Sequence, residues 1–459
     1  MLSKSEIEEL LSTALSKGGD FADIFIEHAD QTNILLEDDR IEKINSGLDA
    51  GAGIRVIDGD EMYYACSHDV SFESLINKAK ELSMSINRSS KKIPISIKPV
   101  LSNIKYEIKK RPESVPIGDK VHIVETANKV ARSYGKKIRQ VAARYADTNQ
   151  AVTIANSNGL YVEDNRVRTR FYVQITAAKE NILQNGYEAP GGTVGFELFE
   201  EHDPEALAKK ATERALLMLE AKHAPTGQMP VILSSEAGGT MIHEACGHAL
   251  EADFIHKGTS IFANKIGQKV ASDLITVIDD ATIPGKFGSF RFDDEGTPAQ
   301  KKILIENGIL KGFMSDRFNA QMLGMISSGN GRRESYRTKP VPRMTNTIIQ
   351  SGMSNPSEII SSIKDGLLVK KMGGGQVNVT NGDFVFEVTE SYLIENGEVK
   401  HPVRGAMLIG NGPEVLMSID MVGWDLGFQT GVCGKYDHAP VSDAQPTIRI
   451  PEITVGGIS

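Results

Sequence analysis

The sequence predicts an α+β fold, on three observations. Helix-then-sheet passages occupy the chain before residue 225. After it, short β-rich runs broken by Gly, Pro, Asn and Asp predominate, and no period points to solenoid repeats. At 459 residues the chain is about three times a typical domain length. Two domains are expected: 1–224, with helices and antiparallel sheet, and 225–459, mostly β with one helix around a histidine motif.

The elements follow in order. Ser3 and Glu6 have capping-box spacing, Ile7, Leu10, Leu11, Ala14 and Leu15 recur at helical intervals, and Gly18-Gly19 ends the pattern. Three β-rich segments come next, "ADIFIEH", "TNILLED" and "AGIRVIDGDEMYYACS", the last broken by an Asp-Gly turn at 58–59. A helix is predicted over 71–84, and the stretch "NRSSKKIPISIKPVLS" reads as a connector or edge segment. Val121, Val124, Ala127 and Ala131 then share one helical face, and a hairpin pattern surrounds Asn158-Gly159. Asp203 caps a helix that has Pro204 at its first position, and "HAPTGQMP" ends it at the domain boundary.

Composition excludes several function classes. No apolar run approaches the roughly 18 residues of a membrane span, and the acidic, amphipathic start "MLSKSEIEELLSTALSKGGD" lacks the form of a secretory signal. The expected location is therefore cytoplasmic, with no membrane role. A net charge of −9 without a basic stripe argues against nucleic-acid binding. Cys66, Cys246 and Cys433 are odd in number and far apart, so no disulfide framework is expected and each is free as a thiol or ligand.

The chemistry concentrates in "MIHEACGHALEAD", residues 241–253. An H-E-x-x-x-H pattern should arise by chance only about 0.02 times in a chain of this length and composition. Its histidines, His243 and His248, stand five apart, so a regular helix would leave the imidazoles about 140° from one another. A π-bulge or broken turn between Glu244 and Ala249 would return both rings to one side, and Gly247 lowers its steric cost. Two imidazoles leave a tetrahedral zinc in need of a third ligand. Cysteine, aspartate, glutamate or histidine could serve, and Cys433 in "GFQTGVCGKYDHAP" is the most suggestive, because Gly431 and Gly434 flank it. Glu244 is then placed to act as general base on a metal-activated water, and the roles fit metal-assisted hydrolysis.

The segments "HEACGHALEAD", "DDEGTPAQKKILIENGILKGFMSD", "GNGRRESYRTKPVPRMTNT", "GGGQVNVTNGDFVFEVTESYLIENGEV" and "GVCGKYDHAPVSDAQPTIRIPEITVGG" stand in the order of the TldD branch of the TldD/PmbA metalloprotease family, which the chain resembles. The resemblance implies that His243, His248 and Cys433 bind Zn2+ and that Glu244 is the catalytic base. It further implies a cytoplasmic dimer around an internal chamber, either a homodimer or a heterodimer with a PmbA-like subunit, and cleavage of short or unfolded peptides. The C-terminal region is thus expected to be the metallopeptidase domain. The alternative is a non-catalytic peptide-binding subunit with a structural zinc site, which would have no use for the glutamate beside His243.

Several other residues admit two readings. Cys246 could be a ligand or a small buried thiol. Glu251 and Asp253 could orient a ligating imidazole or be exposed acids of a last helical turn. Arg332 and Arg333 could grip a peptide carboxylate or form a solvated face. His438 could donate to a developing oxyanion or sit in solvent. Gly373, Gly374 and Gly375 lack the spacing and ending of a phosphate loop, and admit either close backbone approach of a peptide beside a strand edge or a flexible loop.

Overall fold

The computed structural model describes residues 2–86, 88 and 94–457. Helix α1 (Lys4–Ala14) starts as its spacing predicts, with the Ser3 hydroxyl accepting the Glu6 N–H and the Glu6 carboxylate accepting the Ser3 N–H. Strands β1 (Phe21–Glu37), β2 (Arg40–Asp58) and β3 (Glu61–Ser67) follow, then α2 (Phe72–Met84) and the two-residue β4 (Lys98–Pro99). Part of the connector stretch, residues 87 and 89–93, lies outside the described residues. Beyond it run α3 (Ile117–Ser133), β5 (Ile138–Asn156) and β6 (Leu160–Lys179).

These strands form one sheet in the order β3-β2-β1-β5-β6-β4, with Ile182–Glu188 and Gly191–Gly192 also paired to β6. "ADIFIEH" and "TNILLED" prove to be a single strand. Asp30, Gln31, Thr32 and Asn33 favour a turn in isolation, but β2 on one side and β5 on the other hold them extended.

The four long helices described in this part lie on one face of the sheet. Alternation puts Ile24, Ile26, Ile54 and Val56 under α1 and α2, and Val141, Ala143, Phe171 and Val173 under α3 and the helix Pro204–Glu220. The opposite face meets the C-terminal region through Phe25, Val152, Ile154 and Val162, which pack on Phe292 and Tyr336. Beyond that contact the face is polar.

After residue 225 two mixed sheets take over. One has the order Asp365–Val377, Gly227–Leu233, Ile448–Gly457, Ala406–Asn411, Asp383–Glu395, Glu398–Arg404 and Lys222–His223. The other runs Ile309–Leu310, Lys301–Glu306, Val277–Asp280, Asn346–Ile349, His438–Gln445 and Gly427–Gly434. The largest core lies between them and takes in Met241, Ile242, Ala245, Cys246, Ala249 and Leu250 of the histidine motif. The molecule is α+β, with sheets predominant. Besides the motif segment, the C-terminal region carries short helices at Arg317–Met322, Pro356–Ser361 and Gly412–Ser418.

Candidate metal centre

The five-residue spacing is resolved by a change of winding. Thr240–Ile242 is one α turn, His243–Gly247 a π turn and His248–Leu250 a 3-10 turn. The His248 N–H bonds to the His243 carbonyl, the i→i+5 bond that absorbs the extra residue. The two rings consequently stand 5.0 Å apart, centroid to centroid. Gly247 has an ordinary helical φ of −54°. What it supplies is room, since a Cβ there would come within 2.3 Å of Met344 Sδ.

Cys433 reaches the motif from the strand Gly427–Gly434, which forms a hairpin with His438–Gln445 at the edge of the second sheet. Its Sγ lies 3.2 Å from His243 Nε2 and 3.4 Å from His248 Nε2, and one donor atom from each of the three residues falls within 4.8 Å of the others. Tetrahedral bonds of about 2.0 Å to nitrogen and 2.3 Å to sulfur require donor separations close to these. Burial pushes the Cys433 thiol up, but the imidazoles beside it pull it down to about 5. In the opposite sense, burial alone would lower both histidines, yet Asp443 and Cys433 lift His243 well above its ordinary value, and Glu251 with Cys433 lifts His248 to about 9. Protons on the imidazoles and an ion between the donors are thus alternative ways to neutralise the thiolate, and the donor types and spacing suit a borderline cation.

Both imidazoles are oriented through their other nitrogens. His243 Nδ1 is 2.7 Å from Asp443 Oδ1, and His248 Nδ1 is 3.1 Å from Glu251 Oε2. Glu251 is fully buried and is not an exposed terminal acid; Lys435 Nζ lies 3.0 Å from it. Asp253 is also buried and pairs with Lys435 at 2.7 Å. Arg343 pairs with Asp437 and donates to the Cys433 carbonyl at 2.5 Å, fixing the strand that carries the sulfur. Glu244 is the most accessible acid of the motif, with 22% of its side chain exposed and Oε2 4.0 Å from His248 Nε2. Partial burial raises its pKa.

Asp443, Lys435 and Arg343 escaped the sequence reading. Lys435 sits in the G-x-C-G-K segment, where its place beside Cys433 was a usable signal. Asp443 meets His243 across 200 positions, a juxtaposition set only by the pairing of His438–Gln445 with Asn346–Ile349.

The other candidates fall elsewhere. Cys246 is buried in the apolar core, outside the donor cluster, and burial raises its thiol. Pairing of Cys433 with Ala439 and of Gly434 with His438 puts the His438 side chain on the hairpin face opposite the sulfur, where it meets Glu334 at 3.4 Å. Arg332 and Arg333 are buried and do not form a solvated face. Gly373, Gly374 and Gly375 lie within the strand Asp365–Val377, at an irregularity in its pairing with Asp383–Glu395. A Cβ on Gly375 would come within 1.9 Å of the Phe386 ring, so packing dictates that glycine, while the space beside Gly374 is open.

Comparison with known proteins finds metalloproteases among the relatives of this chain. Family profiles match at residues 22–85 (PmbA/TldA metallopeptidase domain 1), 110–219 (central domain) and 226–457 (C-terminal domain). The chain is 38% identical to a metalloprotease TldD homolog of Buchnera aphidicola over 98% of its own length and 95% of that protein. It is 37% identical to a metalloprotease of Methanocaldococcus jannaschii, covering 98% of this chain and 99% of the other. The crystal structure of TldE from Thermococcus kodakarensis superposes with a TM-score of 0.78 at 23% identity, over 98% of this chain and 100% of that one. A β-rich chain with a His-His-Cys donor set beside a glutamate has the layout of a metallopeptidase. It belongs to the PmbA/TldD metalloprotease family, on the TldD branch.

Proposed function

We propose that the protein is a zinc-dependent peptidase of the cytoplasm that hydrolyses short or unfolded peptides. His243, His248 and Cys433 would hold the ion, and Glu244 would act as general base. The observation that carries this reading is the convergence of two imidazoles and a thiolate within bonding reach of one ion, with a partly exposed carboxylate beside them. Zinc suits a mixed nitrogen and sulfur set of three, which leaves a fourth position open. When bound, such an ion supplies Lewis acidity to a peptide carbonyl and to water.

The protein's own groups do the remaining work. Glu244 accepts a proton from the attacking water and returns it to the departing amine, a task suited to a carboxyl whose pKa burial raises. Asp443 and Glu251 fix each imidazole with Nε2 turned to the centre. Gly427–Gly434 is an edge strand laddered on one side only. An extended peptide can pair along its free side by main-chain hydrogen bonds, which folded proteins cannot offer. A second subunit, either another copy or a PmbA-like chain, would enclose the site and add to that selectivity.

Glu244→Gln tests the reading. The variant should retain full metal while peptide hydrolysis falls by about a hundredfold or more. Loss of the metal together with activity would make Glu244 a ligand. Unchanged activity would remove it from the chemistry, whereas absence of hydrolysis by the metal-loaded wild type would favour the non-catalytic peptide-binding alternative.

A further inference from the structure

A cavity of about 390 Å³ opens between the polar face of β5 and β6 and the reverse side of the hairpin that carries Cys433. Alternation along β6 aims Arg166, Arg168 and Arg170 at it, and Arg332 and Arg333 close another wall. Two of the five are neutralised or spent. Arg166 is held by Asp294 at 2.5 Å and Asp164 at 3.3 Å. Arg333 donates to the Asp294 carbonyl at 3.1 Å and the Tyr64 hydroxyl at 3.1 Å.

The other three have no carboxylate partner among the described residues. Arg168 donates to the carbonyls of Phe287 and Ser289 at 3.3 and 3.4 Å, and Arg332 to that of Met344 at 2.6 Å. Arg170 has a buried Nε with no partner. Carbonyl oxygens orient a guanidinium without neutralising it. Burial and then mutual repulsion with Arg166 and Arg332 lower Arg168 to about 9, and burial lowers Arg332 to about 10. The acids of the wall are already engaged: Glu27 takes the Gln150 amide and the Tyr336 N–H, Asp147 pairs with Lys120, Glu334 faces His438, Asp294 holds Arg166, and Asp293 accepts the N–H groups of Glu295, Thr297 and Gly331.

We propose that Arg168, Arg170 and Arg332 form a subsite for a carboxylate of the bound peptide, at its C-terminus or on an acidic side chain. Planar guanidiniums match a carboxylate through paired N–H donors. An adjoining cavity of about 710 Å³ shares Asn33, Ala146 and Arg170 with this one, which gives the chain bearing the carboxylate room to continue. The wall it presents is Val432 and Pro440, each one residue from the Cys433 and Ala439 pair that faces the donor cluster. A peptide on that hairpin's edge would thus turn alternate residues toward the metal and toward the arginines. This inference rests on the peptidase reading, and its test is independent of catalysis.

Binding to metal-free protein is measured with a dye-labelled oligoalanine as free acid, as C-terminal amide, and as an amide carrying one internal aspartate. The free acid should bind about tenfold or more tightly than the amide. Arg168→Gln and Arg170→Gln should abolish that preference and leave affinity for the amide unchanged; among the described residues the Arg170 side chain donates no hydrogen bond, so its replacement spares the fold. Recovery of affinity by the aspartate peptide, lost again in both variants, upholds the subsite and makes an acidic side chain its occupant. Equal affinity for all three peptides, or a preference that survives both substitutions, overturns the proposal. Failure of the peptidase reading would show itself separately, as absent hydrolysis by metal-loaded protein with this preference intact.

Discussion

Two clusters of buried charge in this molecule are equally dry and oppositely balanced. Around the histidine motif each carboxylate has a positive or proton-donating partner: Glu251 lies between Lys435 and His248 with Arg343 at 3.9 Å, Asp437 pairs with Arg343, and Asp443 meets His243. Where β1 and β2 meet segment 293–317, Arg55 is shared by Asp23 and Glu295, while Asp293 and Asp316 have no ion-pair partner among the described residues. The outcomes diverge. Burial would push Glu251 up, but Lys435, His248 and Arg343 bring it down to about 2. At the other cluster burial and the neighbouring Glu295 push Asp293 and Asp316 well above the ordinary carboxyl range. Burial alone does not set a charge state; the supply of counter-charge does. Glu251 is thereby kept ionised beside His248, as the support of a metal ligand must be, whereas Asp293 and Asp316 take up protons more readily than ordinary carboxyls.

The sharpest break of this contrast removes a cation from the balanced cluster. Arg343→Met leaves Asp437 unpaired and the Cys433 carbonyl without its donor, and should destabilise the protein by about 3–5 kcal/mol in denaturant unfolding. A loss below about 1 kcal/mol would mean that water already compensates those acids.

Supports of the ligands come next in size. Glu251→Gln and Asp443→Asn should each weaken metal binding by about 10- to 100-fold while the apo fold persists. Equal metal affinity in all three proteins would reduce these carboxylates to bystanders.

The smallest effect is expected at the acid-rich cluster, in the pH dependence of stability. Asp293 and Asp316 have folded-state pKa values above those of the unfolded chain, so the native state holds protons that the unfolded chain has released. Their stabilising contribution is complete below about pH 4 and is lost as pH rises toward the folded values. Asp316→Asn removes one of these groups and retains the cap on the Arg317–Met322 helix, where the Asp316 side chain accepts the Asn319 N–H. Melting temperature should therefore fall less with rising pH in the variant than in the wild type; an unchanged or steeper fall would contradict the assignment.

Much of this was legible in the sequence where local rules decide. The cap at Ser3, the helix opened by Asp203-Pro204 and the hairpin at Asn158-Gly159 depend on neighbours a few positions away. The π turn was readable too, because two ligands five apart on a regular helix are geometrically incompatible. What stayed hidden depends on register. The length of β1, the meeting of Asp443 with His243 and the turning of His438 away from Cys433 follow from strand pairing over long separations. The burial of Arg332 and Arg333 is of the same kind, since their walls come from β6 and from residues 287–294. A charged pair in a glycine-rich turn carries no local sign that another sheet will cover it.

His243, His248 and Cys433 alone are proposed to define the metal centre. Chelator competition on purified wild type, Cys433→Ala and Cys246→Ala, with metal content read directly, tests this. The account predicts one tightly held zinc in the wild type and in Cys246→Ala, and zinc readily stripped from Cys433→Ala. Full, chelator-resistant zinc in Cys433→Ala, or its loss from Cys246→Ala alone, would contradict it.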